Sequence, residues 1–341
     1  MSKKDQENTE FETTDTYVVE QPEDQSERIP ILGQLGILAL ILLLIFGTGY
    51  APKVLKSIEN ARTNTANIPD TQVAVVHQEI DTSAFEDITV RAGSAYVYDV
   101  TTNTVLYEKN ASEQLPLASI TKLMTALVAY ELLADNFEVP VTSAALQQDG
   151  NSGLLDGESF TLENILDLTL LSSSNDGAYA IADEAGSQIV EDGDASTFVE
   201  AMNIKAKELG LSQTYFRNPT GLDISTTEGG AYGSARDVAF LMKHILNNYP
   251  NIIEGTTHSR ASIQNDYGTA HRVDNTNPTV SNIEGLIGSK TGYTDLAGGN
   301  LAIAFDAALN RPVVVVVLGS THNARFDDVL TLSDAARSAI E

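Results

Sequence analysis

The distribution of apolar positions divides the chain into stretches of different character. Residues 1–28 are polar and acidic and carry almost no large apolar group, the composition of a disordered tail. Ile29 to Tyr50 then runs without a single charged residue. At about 20 apolar positions such a run is long enough to cross a bilayer as a helix. Residues 51–84 are polar and mixed, with Pro69-Asp70 as a turn, and read as a linker. From Phe85 onward the pattern is that of a packed domain. AYVYDV (Ala95–Val100) and TVLYEK (Thr104–Lys109) flank a short turn and predict two paired strands. A helix-rich middle follows, in which Thr197 and Glu200 form a capping-box pattern and Gly210 ends the helix. LAIAF (Leu301–Phe305) and VVVVVL (Val313–Leu318) predict adjacent strands, the second buried on both faces. A closing helix is expected from about Asn323 to Ile340. Strands at both ends with helices between predict an α+β domain over residues 85–341, its sheet assembled from distant parts of the chain.

Composition narrows the chemistry. The 341 residues carry a formal net charge of −27, which disfavours binding nucleic acid or anionic lipid through a basic surface. The chain has no cysteine, so disulfides, thiolate metal sites and cysteine catalysis are excluded. The five histidines show neither HxxxH nor HExxH spacing, and no metal site or cofactor is expected. The acidic tail before the apolar run is unlike the basic start of a signal peptide, which favours a retained anchor at residues 29–50. Gly47-Thr48-Gly49 keeps cleavage open as the alternative. Arg28 precedes the run, whereas Lys53, Lys56 and Arg62 follow it, and these flanking charges weigh towards a cytoplasmic C-terminal part. The chemistry below points to the opposite side.

In LASITKLMTAL (Leu117–Leu127) a lysine interrupts an apolar helical pattern three residues after a serine. Ser119 and Lys122 share a helix face at that spacing. The positive end of the helix dipole and the apolar surroundings both disfavour a charged lysine and lower its pKa. A neutral amine beside a serine hydroxyl can take its proton and make the serine a nucleophile. The bland alternative is a capping serine followed by a surface lysine. Two later motifs bear on the choice: Ser173-Ser174-Asn175, otherwise a polar turn between helices, and Lys290-Thr291-Gly292, otherwise an ordinary exposed strand. SxxK, SxN and KTG, in that order, form the motif set of penicillin-binding proteins and class A β-lactamases.

With these motifs the chain resembles the low-molecular-mass penicillin-binding proteins, the serine D-alanyl-D-alanine carboxypeptidases (peptidase S11-like), from about Phe85 to Glu341. LASITKLMTALVAYE, LLSSSNDGAYAIAD, RNPTGLD, SARDVAFL, NTNP, GSKTGYTDLAGG and VVVVVLGSTHNARFDD are all similar to family landmarks. The resemblance implies a β-lactamase/transpeptidase-like fold: an antiparallel sheet with helices on both faces, plus an all-helical subregion. It implies that Ser119 attacks the penultimate D-alanine carbonyl, Lys122 takes its proton, Ser173 relays a proton to the leaving amine, and Asn175 holds Lys122 and the substrate amide. It also implies that Lys290, Thr291 and Gly292 form the substrate-binding strand. The N–H groups of Ser119 and Tyr293 would form the oxyanion hole, and Arg325 would add charge for the terminal carboxylate. The implied partners are a peptidoglycan pentapeptide, β-lactam antibiotics as covalent inhibitors, and the membrane through the N-terminal helix, with the catalytic domain extracytoplasmic. Two positions depart from the family pattern. Ser174 stands where glycine is common and is expected at the cleft floor, and Thr220 stands where histidine is often seen. Three rival activities are weighed: a D,D-endopeptidase using the same site, a β-lactamase, disfavoured because no ExxLN segment follows SSN, and a non-catalytic penicillin sensor, disfavoured because every reactive side chain is present.

Overall fold

The computed structural model describes residues 81–340. The expected tail, the membrane span at 29–50 and linker residues 51–80 lie outside the described residues. Among the described residues no helix is long and apolar enough to cross a membrane. The packed chain begins before Phe85. Thr82–Phe85 form a 3-10 turn, and the Asp81 N–H donates to the Ala339 carbonyl at 3.1 Å. Residues 81–84, assigned to the linker by their polarity, are therefore tied to the last helix.

The centre is a five-stranded antiparallel sheet. In chain order its strands are β1 (Ser94–Asp99), β2 (Thr104–Lys109), β3 (Leu286–Thr294), β4 (Gly298–Ala308) and β5 (Arg311–Ser320). Their spatial order is β3-β4-β5-β1-β2, so the chain's first hairpin completes a sheet begun by its last three strands. The pleat sorts side chains strictly by face. Ala95, Val97, Ile303, Phe305, Val313, Val315 and Val317 pack beneath the closing helix α6 (Ala324–Ile340). Tyr96, Tyr98, Ala302, Ala304, Val314, Val316 and Leu318 face the helical side, where the Tyr98 ring meets Phe240 edge-on at 5.5 Å. Both faces are covered, and for that reason β5 carries an uninterrupted apolar run.

The other helices longer than one turn among the described residues are α1 (Lys122–Leu132), α2 (Leu162–Ser172), α3 (Asn175–Ser187), α4 (Ala195–Glu208) and α5 (Ala235–Asn248). Helix α1 is buried from Lys122 to Ala129, wrapped by the other four. A helix apolar on all sides belongs in such a central position. Helix α4 starts earlier than its expected capping box: Asp194 is the N-cap, and Thr197 occupies the third helical position of that box. The β3 edge not paired with β4 faces the helical side and packs against the 3-10 turn Ala118–Thr121 that leads into α1. That seam holds the site.

Candidate active site

Ser119 sits in the 3-10 turn, and Lys122 is the first residue of α1. The turn is held from several sides. Ala118 has φ +48°, a left-handed conformation that disfavours any residue with a Cβ. Asn300 of β4, itself fully buried, donates its amide to the carbonyls of Pro116 and Leu117, both at 3.0 Å. The Thr121 hydroxyl donates to the Ala118 carbonyl at 2.7 Å. Gly221 presses so close that a Cβ there would lie 1.9 Å from the Ala118 carbonyl oxygen. Strained backbone of this kind, typically about 1–3 kcal/mol per residue, persists only where its surroundings over-determine it.

The Lys122 amine is fully buried and has three oxygen neighbours. They are the Ser119 hydroxyl at 2.8 Å, Asn175 Oδ1 at 2.7 Å and the Thr220 carbonyl at 2.8 Å. Two of the three are obligate acceptors. A neutral amine has two N–H donors and one lone pair. In that state it satisfies both carbonyls and keeps its lone pair for the Ser119 O–H, whereas an ammonium would donate to all three oxygens. Burial holds the Lys122 pKa well below the ordinary lysine value, and the nearby charge of Lys290 lowers it further. Desolvation, one of the two causes named from the sequence, is the larger one, and a second lysine from a distant strand adds to it.

Ser173 caps the C-terminus of α2 with φ +61°, a second non-glycine residue in left-handed conformation beside the reactive groups. Its hydroxyl accepts from Lys290 at 2.8 Å rather than from Lys122. The Lys290 amine is buried and also donates to the Thr291 carbonyl at 2.9 Å. Burial, then the charge of Arg325, pull the Lys290 pKa down to about 7. Thr291 and Thr276 share a hydrogen bond of 2.6 Å between their hydroxyls. Arg325 is buried and donates from Nη1 to the Gly292 carbonyl at 2.7 Å, while its Nε has no partner. Gly292 is required by close approach: a Cβ there would lie 2.9 Å from the Leu117 carbonyl oxygen and 3.2 Å from the Ile120 nitrogen. The exposed Tyr293 ring lies edge-on to His322 at 4.8 Å.

These groups border a cleft of about 520 Å³ lined by Ser119, Ser173, Thr276, Thr291, Gly292, Tyr293, Arg325 and neighbours from 275–278 and 322–326. Lys122, Asn175 and Lys290 join it through the hydrogen bonds above. All nine residues named from the sequence therefore converge. No ion pair among the described residues uses Lys290 or Arg325, so the cleft holds positive charge that no carboxylate compensates, in an acidic protein. Such a site suits an anionic ligand. Sequence reading missed the Thr220 carbonyl, Thr276 and Asn300. The segments RNPTGLD and NTNP mark the first two, but neither motif shows that a backbone oxygen or a bridging hydroxyl is the contributing group. Ser174 does not form the cleft floor. It is the N-cap of α3, buried, with its Oγ accepting from the Gly177 N–H at 2.8 Å.

Comparison with known proteins gives a consistent picture. The profile of the peptidase S11 family, described as D-alanyl-D-alanine carboxypeptidase, matches residues 80–322. The D-alanyl-D-alanine carboxypeptidase DacF of Bacillus subtilis is 34% identical over 256 residues, 73% of this chain and 63% of the relative. The chain thus spans under two thirds of the length of that relative. A D-alanyl-D-alanine endopeptidase of Escherichia coli is 31% identical over 255 residues, 73% of this chain and 76% of the relative. Among solved structures, penicillin-binding protein D2 of Listeria monocytogenes in its ampicillin-bound form superposes with a TM-score of 0.61 at 27% identity. That match covers 73% of this chain and 98% of the other.

Proposed function

The chain belongs to the peptidase S11 family, the D-alanyl-D-alanine carboxypeptidases, and from that premise we propose that it removes the terminal D-alanine from peptidoglycan stem peptides through an acyl-enzyme. Ser119 Oγ attacks the carbonyl carbon of the penultimate D-alanine as its proton passes to Lys122 Nζ. The developing oxyanion is met by the N–H groups of Ser119 and Tyr293, a type of contribution usually large in acyl transfer. The peptide bond breaks as the leaving D-alanine nitrogen receives a proton through Ser173, which Lys290 holds in place. Lys290, Thr291 and Arg325 receive the terminal carboxylate. Water then hydrolyses the Ser119 ester and frees the shortened peptide.

The observation that carries this reading is the trio of oxygens around Lys122 Nζ, two carbonyls and the Ser119 hydroxyl. With the amine kept neutral by its complete burial, that set offers two acceptors to its N–H groups and a hydroxyl to its lone pair, the arrangement of a base. The same chemistry would let a β-lactam acylate Ser119, in keeping with the ampicillin-bound Listeria relative. The test is mass spectrometry of the protein after incubation with benzylpenicillin. One adduct mapping to the peptide containing Ser119 is expected, and none with Ser119→Ala. An adduct that survives the substitution would move the nucleophile elsewhere and defeat the reading.

A second activity is favoured by the Escherichia coli relative named an endopeptidase. Parallel digestion of a pentapeptide monomer and a crosslinked dimer separates the two. The carboxypeptidase reading expects release of free D-alanine from the monomer at the higher rate. The proposal extends to location: residues 29–50 anchor the chain in the cell membrane, with the catalytic domain outside, where its substrate lies. Protease added to intact cells should remove that domain, and a domain protected until lysis would reverse the topology.

A further inference from the structure

Three consecutive residues at the start of α3 are gripped by one short loop. Asn175 Nδ2 donates to the Asp149 carbonyl at 2.6 Å. On either side of it, Ser174 Oγ lies 2.5 Å from Ser152 Oγ, and Asp176 Oδ2 accepts from both the Ser152 hydroxyl at 2.7 Å and the Ser152 N–H at 3.3 Å. The polarity of this chain of bonds follows from the groups present. The Asp176 carboxylate is an acceptor, so the Ser152 proton goes to it. Ser152 then accepts from the Ser174 hydroxyl, which itself accepts from the Gly177 N–H. The other carboxylate oxygen, Asp176 Oδ1, is buried without a partner, so Asp176 relies on Ser152 for its contacts. Gly150 has φ +94°, and a Cβ there would sit 3.4 Å from Asn175 Nδ2. The left-handed backbone at Gly150 carries the loop past the amide in ordinary contact with it.

We infer that Ser152 is a positioning residue for proton acceptance by Lys122, acting by tying the 149–152 loop to α3 so that the Asp149 carbonyl fixes which way the Asn175 amide points. This role rests on the proposed reading of Lys122 as the base. With its nitrogen held by Asp149, Asn175 presents its oxygen to Lys122. Without that hold the amide can turn over and present N–H to the amine. A turned amide donates to the lone pair that must receive the Ser119 proton, and it removes one acceptor that favours the ammonium. The base then becomes both misdirected and harder to protonate.

The test is the pH dependence of acylation of the full-length chain by a fluorescent penicillin. For Ser152→Ala the plateau rate should fall about tenfold, the loss typical of one neutral hydrogen bond at its upper range. The acid limb should move to lower pH. Ser152→Thr keeps the hydroxyl and should restore both to within about twofold of wild type. A purely structural role would lower Tm alone. A Ser152→Ala profile superimposing on wild type, whatever its Tm, would overturn the inference. Wild-type chain that takes up no penicillin would overturn the reading of Lys122 beneath it, and this role with it. That outcome shows in the wild-type lane, whereas failure of the Ser152 role shows only in the variant.

Discussion

Lys122 and Lys290 are both buried in one cleft, yet their surroundings differ in kind. Lys122 lies on the helical side among two carbonyl oxygens and the Ser119 hydroxyl, all within 2.8 Å. Lys290 lies on the sheet side with the Ser173 hydroxyl and the Thr291 carbonyl. Burial lowers both pKa values, but Lys122 is pushed well below the lysine range while Lys290 settles at about 7. The charge of Lys290 disfavours that of Lys122, so the second lysine helps to keep the first neutral. On the proposed reading, one side of the cleft supplies a base and the other a cation for an anionic ligand. Two residues of the same type are divided between these tasks by neighbours alone.

The division can be broken most severely at Lys122. Lys122→Met fills a similar volume but leaves Ser119 with no base and Asn175 Oδ1 and the Thr220 carbonyl without a donor. Acylation should fall by roughly 10⁴-fold or more, the scale seen when one member of a nucleophile–base pair is removed. Stopped-flow or gel-based penicillin labelling measures it. A loss below about tenfold would place the base elsewhere.

Lys290→Met should act on binding. Truncating one partner of a buried charge pair costs about 2–5 kcal/mol, so kcat/KM for a carboxylate-terminated peptide should drop by about 100-fold. An ester or amide lacking that carboxylate should lose far less. The wild-type pH profile sharpens the same contrast. As pH falls through the lowered Lys122 pKa the base gains a proton, and kcat/KM declines on the acid side. As pH rises through about 7, Lys290 loses its proton and carboxylate binding weakens, which gives the alkaline limb. Bound carboxylate favours the ammonium, so the alkaline limb of kcat should lie above that of kcat/KM. Coincident limbs would deny Lys290 its role as a cation.

Gly292→Ala perturbs the seam between the two sides. The new Cβ would stand 2.9 Å from the Leu117 carbonyl oxygen, so strand and turn must separate by a few tenths of an ångström. A misplacement of about 1 Å can cost 10²-fold, and a smaller one should cost about tenfold, with the protein still folded. Unchanged acylation would show that β3 and the Ser119 turn adjust independently.

Much of this arrangement is legible in the chain, for identifiable reasons. The Ser119–Lys122 pair shows because a three-residue helical spacing is local. Strand β5 shows because burial on both faces leaves six consecutive apolar residues from Val313 to Leu318. Strand β3 has no such pattern. Its GSKTGYT segment is polar because one edge borders the cleft, and only the KTG motif marks it. Contributions from backbone groups leave no trace in residue identity: the Thr220 and Asp149 carbonyls, and the left-handed turns at Ala118 and Ser173. Ser174 misleads for a related reason. Its place in the SSN motif suggests the cleft, but its capping bond turns the hydroxyl towards α3 and Ser152.

Thr220 supplies the smallest expected effect and separates side chain from backbone. Its hydroxyl donates to Asn218 Oδ1 at 3.0 Å and accepts from the Leu222 N–H at 3.1 Å, while its carbonyl holds Lys122. Thr220→Ala removes both hydroxyl bonds, each worth about 1 kcal/mol net, and should lower stability by about 1–2 kcal/mol in thermal or denaturant unfolding. The carbonyl should stay in place, because Asn218 Oδ1 also accepts from the N–H groups of Thr220 and Gly221, at 3.2 and 2.7 Å. Acylation should therefore remain within about twofold of wild type. The opposite pattern, intact stability with acylation lost, would mean that the threonine side chain takes part in the chemistry and that the oxygens facing Lys122 have been assigned to the wrong groups.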